Sequence, residues 1–137
     1  MKARRGFTLI ELMVVILIVA ILAAVAIPIM RGKIDAAKWS EGKAIMGSIA
    51  SAMRAHAAES GLDVDYDALD ANLEDGPELG FRTGDLDGTY FRAADFSISG
   101  TYTASTNVYL YTISANAGIG ITAPAVVTLN QAGDWTP

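Results

Sequence analysis

Nineteen consecutive residues, Leu12–Met30, carry no charge, and at about 1.5 Å per helical residue they approach the thickness of a bilayer's hydrocarbon core. A run of this kind folds as a helix and needs lipid or other apolar surface around it. One acidic side chain, Glu11, interrupts the wider apolar stretch from Phe7 to Met30. A carboxylate in a bilayer core costs about 2.5 kcal/mol or more, so such groups are paired and mark function.

The apolar stretch sets how the rest is read. It inflates the 52% hydrophobic content of the 137-residue chain, and what remains is polar and acidic, enough for one small globular domain. With no cysteine there is no disulfide, thiolate nucleophile or thiolate metal site. The single histidine, His56, and the lack of a serine in a nucleophile-elbow context argue against an enzyme. A pI near 4.6 argues against nucleic-acid binding through a basic surface.

Residues 1–6 carry three positive charges, Lys2, Arg4 and Arg5, directly before the apolar run. This has the form of a targeting leader, yet no Ala-x-Ala site after the run is followed at once by a polar mature terminus. Helical patterning continues past Pro28 without a turn cluster until Gly61. The apolar segment is therefore expected to be retained.

The segment Arg5-Gly6-Phe7-Thr8-Leu9-Ile10-Glu11-Leu12-Met13-Val14-Val15-Ile16, with Pro28 beyond it, resembles the prepilin signature of type IV pilins and type II secretion pseudopilins. The resemblance covers roughly the first thirty residues. It implies a prepilin peptidase cutting between Gly6 and Phe7 and methylating the new amine of Phe7, so both positions are substrate sites. Gly6 suits a tight peptidase slot because it has no side chain. Removing the leader would take the formal charge from −5 to −8, since three positive side chains leave with it. The resemblance also places the N-terminus on the cytoplasmic side. The charge rule alone does not, because Arg31, Lys33, Lys38 and Lys43 follow the segment.

Glu11 then has a candidate partner in the Phe7 amine, which is mostly protonated at neutral pH. Four residues apart on a helix, the two can meet within one subunit. The resemblance implies a pair between subunits instead, and snorkelling of Glu11 to the membrane interface is a third option. Pro28 removes a backbone donor, and with Gly32 one turn on it marks Val25–Gly32 as a stretch that bends or loses regular helix in a filament. A membrane-helix kink is the simpler alternative.

A second helical stretch, about Ile34 to Ser60, carries an apolar line at Ile45, Ile49, Ala52, Met53 and His56. Residues 7–60 thus read as one long helix of roughly 80 Å, whose first half, 7–30, protrudes as a transmembrane or filament-core segment. Residues 61–88 read as an acidic connecting loop, within a region from Asp63 to Asp95 holding ten acidic residues against Arg82 and Arg92. Asp63, Asp65, Asp67 and Glu74 match positions one, three, five and twelve of a calcium-loop template, and Asp85 and Asp87 add carboxylates. Ala68 stands where the template needs glycine, so a solvated acidic surface or a short helix over Tyr66–Leu73 competes with bound calcium.

Residues 89–137 read as a β-sheet head. Strand patterns fall at Tyr90-Phe91, Phe96–Ile98, Val108–Ile113 and Ala125–Leu129, with turn signals at Gly100, Ser105–Asn107, Gly118–Gly120 and Pro124. The expected fold is α+β, with an antiparallel sheet of three to four strands packed on the second half of the helix. Trp135 is expected to serve packing.

The resulting reading is a non-enzymatic subunit that needs no cofactor, calcium excepted, and polymerises through its N-terminal helix into a type IV pilus for adhesion, motility or DNA uptake. The resemblance adds an inner-membrane assembly platform as a partner, and an inner-membrane pool before export. A type II secretion pseudopilin, forming a periplasmic piston, is one alternative. A monomeric membrane-anchored binding module is another. The cysteine pair near the C-terminus of many Gram-negative pilins is missing. The basic residues from Arg31 to Lys43 can serve headgroups or acidic partners such as Glu41.

Overall fold

The computed structural model describes residues 6–137, so Lys2, Arg4 and Arg5 of the expected leader lie outside the described residues. The chain divides into two compact units, Met1–Ile34 and Asp35–Pro137. Helix α1, Leu9–Ser60, contributes to both.

In the first unit α1 passes through Pro28 as continuous helix. Its large apolar side chains, Leu9, Ile16, Leu22 and Ile29 among them, are exposed. The window long and apolar enough to cross a membrane has none of its residues buried.

In the second unit α1 buries Asp35, Trp39, Gly42, Met46, Ile49, Ala50, Met53 and Ala57. Steps of three and four put these residues on one helical face. This corrects the expected line by about one residue, since Ile45, Ala52 and His56 sit half-buried at its margin. Full burial of Met46, Ile49 and Met53 contributes about 1.5–3 kcal/mol each. The helix ends where Gly61 takes a positive φ of 60° and donates its N–H to the Ala57 carbonyl, the left-handed stop that glycine permits.

The sheet is antiparallel with five strands in sequential order: β1 (Val64–Asp65), β2 (Phe96–Thr103), β3 (Val108–Asn116), β4 (Val126–Asn130) and β5 (Trp135–Thr136). Ile98 pairs with Ile113 and Ile113 with Leu129, while Phe96 faces Ala115 and Ala115 faces Val127. These residues form one buried face, as the alternation of side chains across a strand requires. The outer face carries Ser97, Ser114 and Thr128 in register.

Two of the five strands, β1 and β5, have no counterpart among the expected ones, because each is two residues long and too short to show alternation. Tyr90-Phe91, expected as a strand, is irregular chain. Gly100, expected as a turn, lies inside β2 opposite Tyr111 with φ 119°. A Cβ there would come within 2.0 Å of the Leu110 carbonyl oxygen, so the glycine permits close strand approach.

The acidic segment is more ordered than a connecting loop. It supplies β1, then α2 (Tyr66–Leu69) capped by Asp65, then a 3-10 turn at Asp70–Asn72. Tyr66 is buried beneath it and donates its hydroxyl to the Met53 carbonyl. Burial, reinforced by Tyr109, Tyr111 and Tyr102, pushes its phenol up to about 12.

Candidate functional site

The N-terminal end of α1 is built by Thr8 and Glu11. The Glu11 carboxylate Oε2 accepts the Thr8 backbone N–H at 2.9 Å and its hydroxyl at 2.7 Å, while Thr8 Oγ1 accepts the Glu11 N–H at 3.3 Å. This is a capping box, which satisfies two helix-start donors that the helix itself leaves unpaired. The Thr-x-x-Glu spacing that forms it is visible in the sequence, and it adds Thr8 to Phe7, the lipid and a neighbouring copy as a partner for Glu11. Phe7 is 83% exposed, and a Cβ on Gly6 would meet nothing within 4 Å. The bond between Gly6 and Phe7 is thus not covered by any of the described residues. Gly32, one turn past Pro28, is equally unobstructed.

The acidic segment uses its carboxylates on its own backbone. Glu74 Oε1 accepts the N–H groups of Gly84 at 3.1 Å and Leu86 at 3.0 Å. Asp75 accepts the Thr83 N–H at 2.8 Å and its hydroxyl, and these bonds hold its carboxyl below the usual carboxylate range. Asp63 binds the Ala104 N–H, Asp85 the Arg82 N–H and Asp87 the Ala93 N–H. Asp65 caps α2 through the Asp67 N–H. The six candidate calcium ligands are therefore not brought into one cage. Among the described residues no group of three or more His, Cys, Asp or Glu side chains could hold a metal ion.

Three charged residues of α1, Asp35, Lys38 and Glu41, tie the head together, two of which, Lys38 and Glu41, the sequence offered to lipid or to neighbours. Buried Asp35 accepts the N–H groups of Thr122 at 3.0 Å and Ala123 at 3.2 Å. Lys38 donates to the Gly120 carbonyl at 2.6 Å and lies 5.1 Å from the centre of the Tyr90 ring. Glu41 accepts the N–H groups of Tyr90 at 2.7 Å and Phe91 at 3.2 Å. Burial works to raise the Glu41 pKa, but the N–H groups of Tyr90, Phe91 and Thr89 and the charge of Arg92 outweigh it and lower it overall. These contacts span 49 to 88 positions in sequence, which is why no local pattern announces them. His56 is half-buried, and Trp135 is 38% exposed beneath the Lys43 ammonium, 5.3 Å from its ring centre.

Residues 1–27 match the family described as the prokaryotic N-terminal methylation motif. The chain is similar to a fimbrial protein of Dichelobacter nodosus, 37% identical over 92 residues that cover 64% of this chain and 55% of that protein. A fimbrial protein of Moraxella nonliquefaciens is 56% identical over 41 residues, 30% of this chain and 27% of that protein. One from Pseudomonas aeruginosa is 71% identical over 28 residues, 20% of this chain and 18% of that protein. The chain thus spans about half the length of the first of these relatives and less of the others. No solved structure matches it.

Proposed function

We propose that this chain, whose N-terminal segment is that of the type IV pilin family, is a structural subunit that polymerises into an extracellular pilus. The observation that carries this reading is the exposed apolar half of α1 headed by Glu11 and an open Gly6-Phe7 junction. Exposed apolar surface on this scale marks a membrane or protein interface. A helix of this kind serves both, in lipid before assembly and against its own copies afterwards.

In this reading the precursor sits in the inner membrane with its N-terminus cytoplasmic, and a prepilin peptidase cleaves after Gly6 and methylates Phe7. Cleavage creates the amine that Glu11 lacks as a charged partner in the precursor. On assembly the Glu11 carboxylate neutralises the Phe7 amine of a neighbouring subunit, which aligns the subunits along the fibre and removes the cost of an unpaired charge in apolar surroundings. Helix around Val25–Gly32 then gives way at Pro28, lending the fibre extensibility. The inner-membrane assembly platform supplies the force of extrusion. The fimbrial names of the relatives support a pilus over a secretion pseudopilus.

Mass spectrometry of filaments sheared from cells that make the protein tests this. The expected subunit begins at N-methylated Phe7. Filaments lacking this chain, or carrying it with residues 1–6 attached, overturn the reading.

A further inference from the structure

The two units of the chain carry opposite charge. From residue 7, where the mature chain would begin, to residue 34, the first unit has one acidic side chain, Glu11, and two basic ones, Arg31 and Lys33. The second unit holds fourteen acidic side chains against five basic ones, a formal charge of −9, and residues 63–95 supply −8 of it. Arg31 and Lys33 are exposed on α1, directly after the uncharged run Leu12–Met30. Two positions apart at about 100° per residue, they point to opposite sides of the helix, so a partner on one side alone cannot serve both. The next acids along α1 are committed elsewhere, Asp35 to the N–H groups of Thr122 and Ala123, and Glu41 to those of Tyr90 and Phe91. Lys38 and Lys43 differ from the first pair of cations, because they engage Gly120 and Trp135 within the second unit.

A membrane can supply phosphates to both cations, since they follow a run of bilayer length. A fibre cannot. When α1 passes from lipid into a bundle of its own copies the headgroups stay behind, and cations beside the apolar core need other anions. Glu11 is taken by the Phe7 amine in that arrangement, which leaves the heads. We propose that Arg31 and Lys33 dock on residues 63–95 of two neighbouring copies, one on each side of α1. The inference rests on the pilus reading and adds to it the surface of the head that faces the helix of the next subunit. Asp63, Asp67, Asp75, Glu78, Asp85 and Asp87 are exposed on that segment. A carboxylate that accepts a backbone N–H keeps its charge and further lone pairs for a cation. Complementary charge of this kind fixes register and partner choice between surfaces that pack by apolar contact.

Carbodiimide treatment of sheared filaments reads these contacts, because it joins a lysine amine to a carboxylate touching it. Covalent dimers on a denaturing gel are expected, and the peptides recovered from them should carry Lys33 linked to an acid of residues 63–95. Lys33→Arg keeps the charge, so it should keep the filaments and lose that link. Arg31→Gln combined with Lys33→Gln should lower the filament yield about fivefold at equal amounts of processed subunit, as two exposed pairs of modest strength allow, and should remove the loss of yield that added salt causes in the wild type. Both side chains are exposed, so the variants leave the core of the head intact. Filaments in which Lys33 is linked only within its own subunit, only to acids outside residues 63–95, or not at all overturn the proposal and leave the pilus reading standing. So does a wild-type yield from the double glutamine variant. Loss of that variant from the membrane before assembly assigns the two cations to phospholipid and also overturns the proposal. Filaments that lack this chain overturn both.

Discussion

Replacing Gly42 by alanine tests how tightly the head is seated on α1. A Cβ at Gly42 would lie 2.6 Å from Phe91 Cζ and 2.9 Å from each Cε, against about 3.5–4.0 Å for ordinary carbon contact. Phe91 has nowhere to go. It is fully buried, with Trp39 at 5.0 Å and Phe96 at 5.7 Å between ring centres, and Glu41 holds its N–H. Overpacking of this kind costs about 1–3 kcal/mol. Alanine also gains about 0.5–1 kcal/mol over glycine in a helix interior, so the observed loss is smaller than the clash. Gly47, on the same helix, has nothing within 4 Å of its would-be Cβ and shares only the gain. The difference between the two alanine variants therefore isolates the clash, and should be about 1–3 kcal/mol. Urea denaturation of the full chain in micelles, followed by tryptophan fluorescence, measures it, because Trp39 touches Phe91. Phe91→Leu should recover part of the loss in the Gly42→Ala background. Stabilities equal within about 0.5 kcal/mol would refute the reasoning, since distant sites add to that accuracy.

Further outcomes follow from the carboxylates. Asp35→Ala removes an acceptor from two N–H groups and should lower stability by about 1.5–3 kcal/mol in the same denaturation assay; an unchanged midpoint would mean the Thr122–Ala123 segment is not anchored there. Glu41 and Asp75 have lowered folded pKa values, so their contribution is complete above the ordinary carboxylate range and disappears as pH falls through the folded values. The urea midpoint should thus stay level from neutrality down to about pH 5 and drop below about pH 4, with a smaller drop in Glu41→Gln. Calorimetric titration with calcium is expected to give no heat, because Asp63, Asp65, Glu74, Asp85 and Asp87 already accept backbone N–H groups at separate points; a saturable heat lost in Glu74→Gln would place an ion there.

Much of the architecture was legible because period and length are local properties. The apolar run, the long helix and the cores of β2, β3 and β4 stand where alternation and helical spacing put them. The buried face of α1 was misjudged because alanines at positions 50, 52, 55, 57 and 58 make neighbouring faces look alike. Gly100 read as a turn because glycine marks both a bend and a close strand approach, and only the partner strand tells them apart. Lys38 and Glu41 looked like surface charges, and Asp35 drew no reading, because their partners are backbone groups far along the chain. Backbone N–H and C=O groups are the same at every residue, so such bonds leave no compositional trace. At the N-terminus the reverse holds. The motif over residues 1–27 is local and was legible, while the Thr8 contact came from a four-residue pattern overshadowed by the question of membrane charge.

The yield of sheared surface filaments from cells making the Glu11→Ala protein, set against the wild-type yield at equal amounts of processed subunit, tests the account most directly. Alanine keeps the apolar helix and the cleavage junction, and removes the carboxylate that caps Thr8 and is offered to the Phe7 amine. The account predicts subunit cleaved before Phe7 and retained in the membrane, with filaments reduced at least tenfold. Filaments at the wild-type level would contradict it.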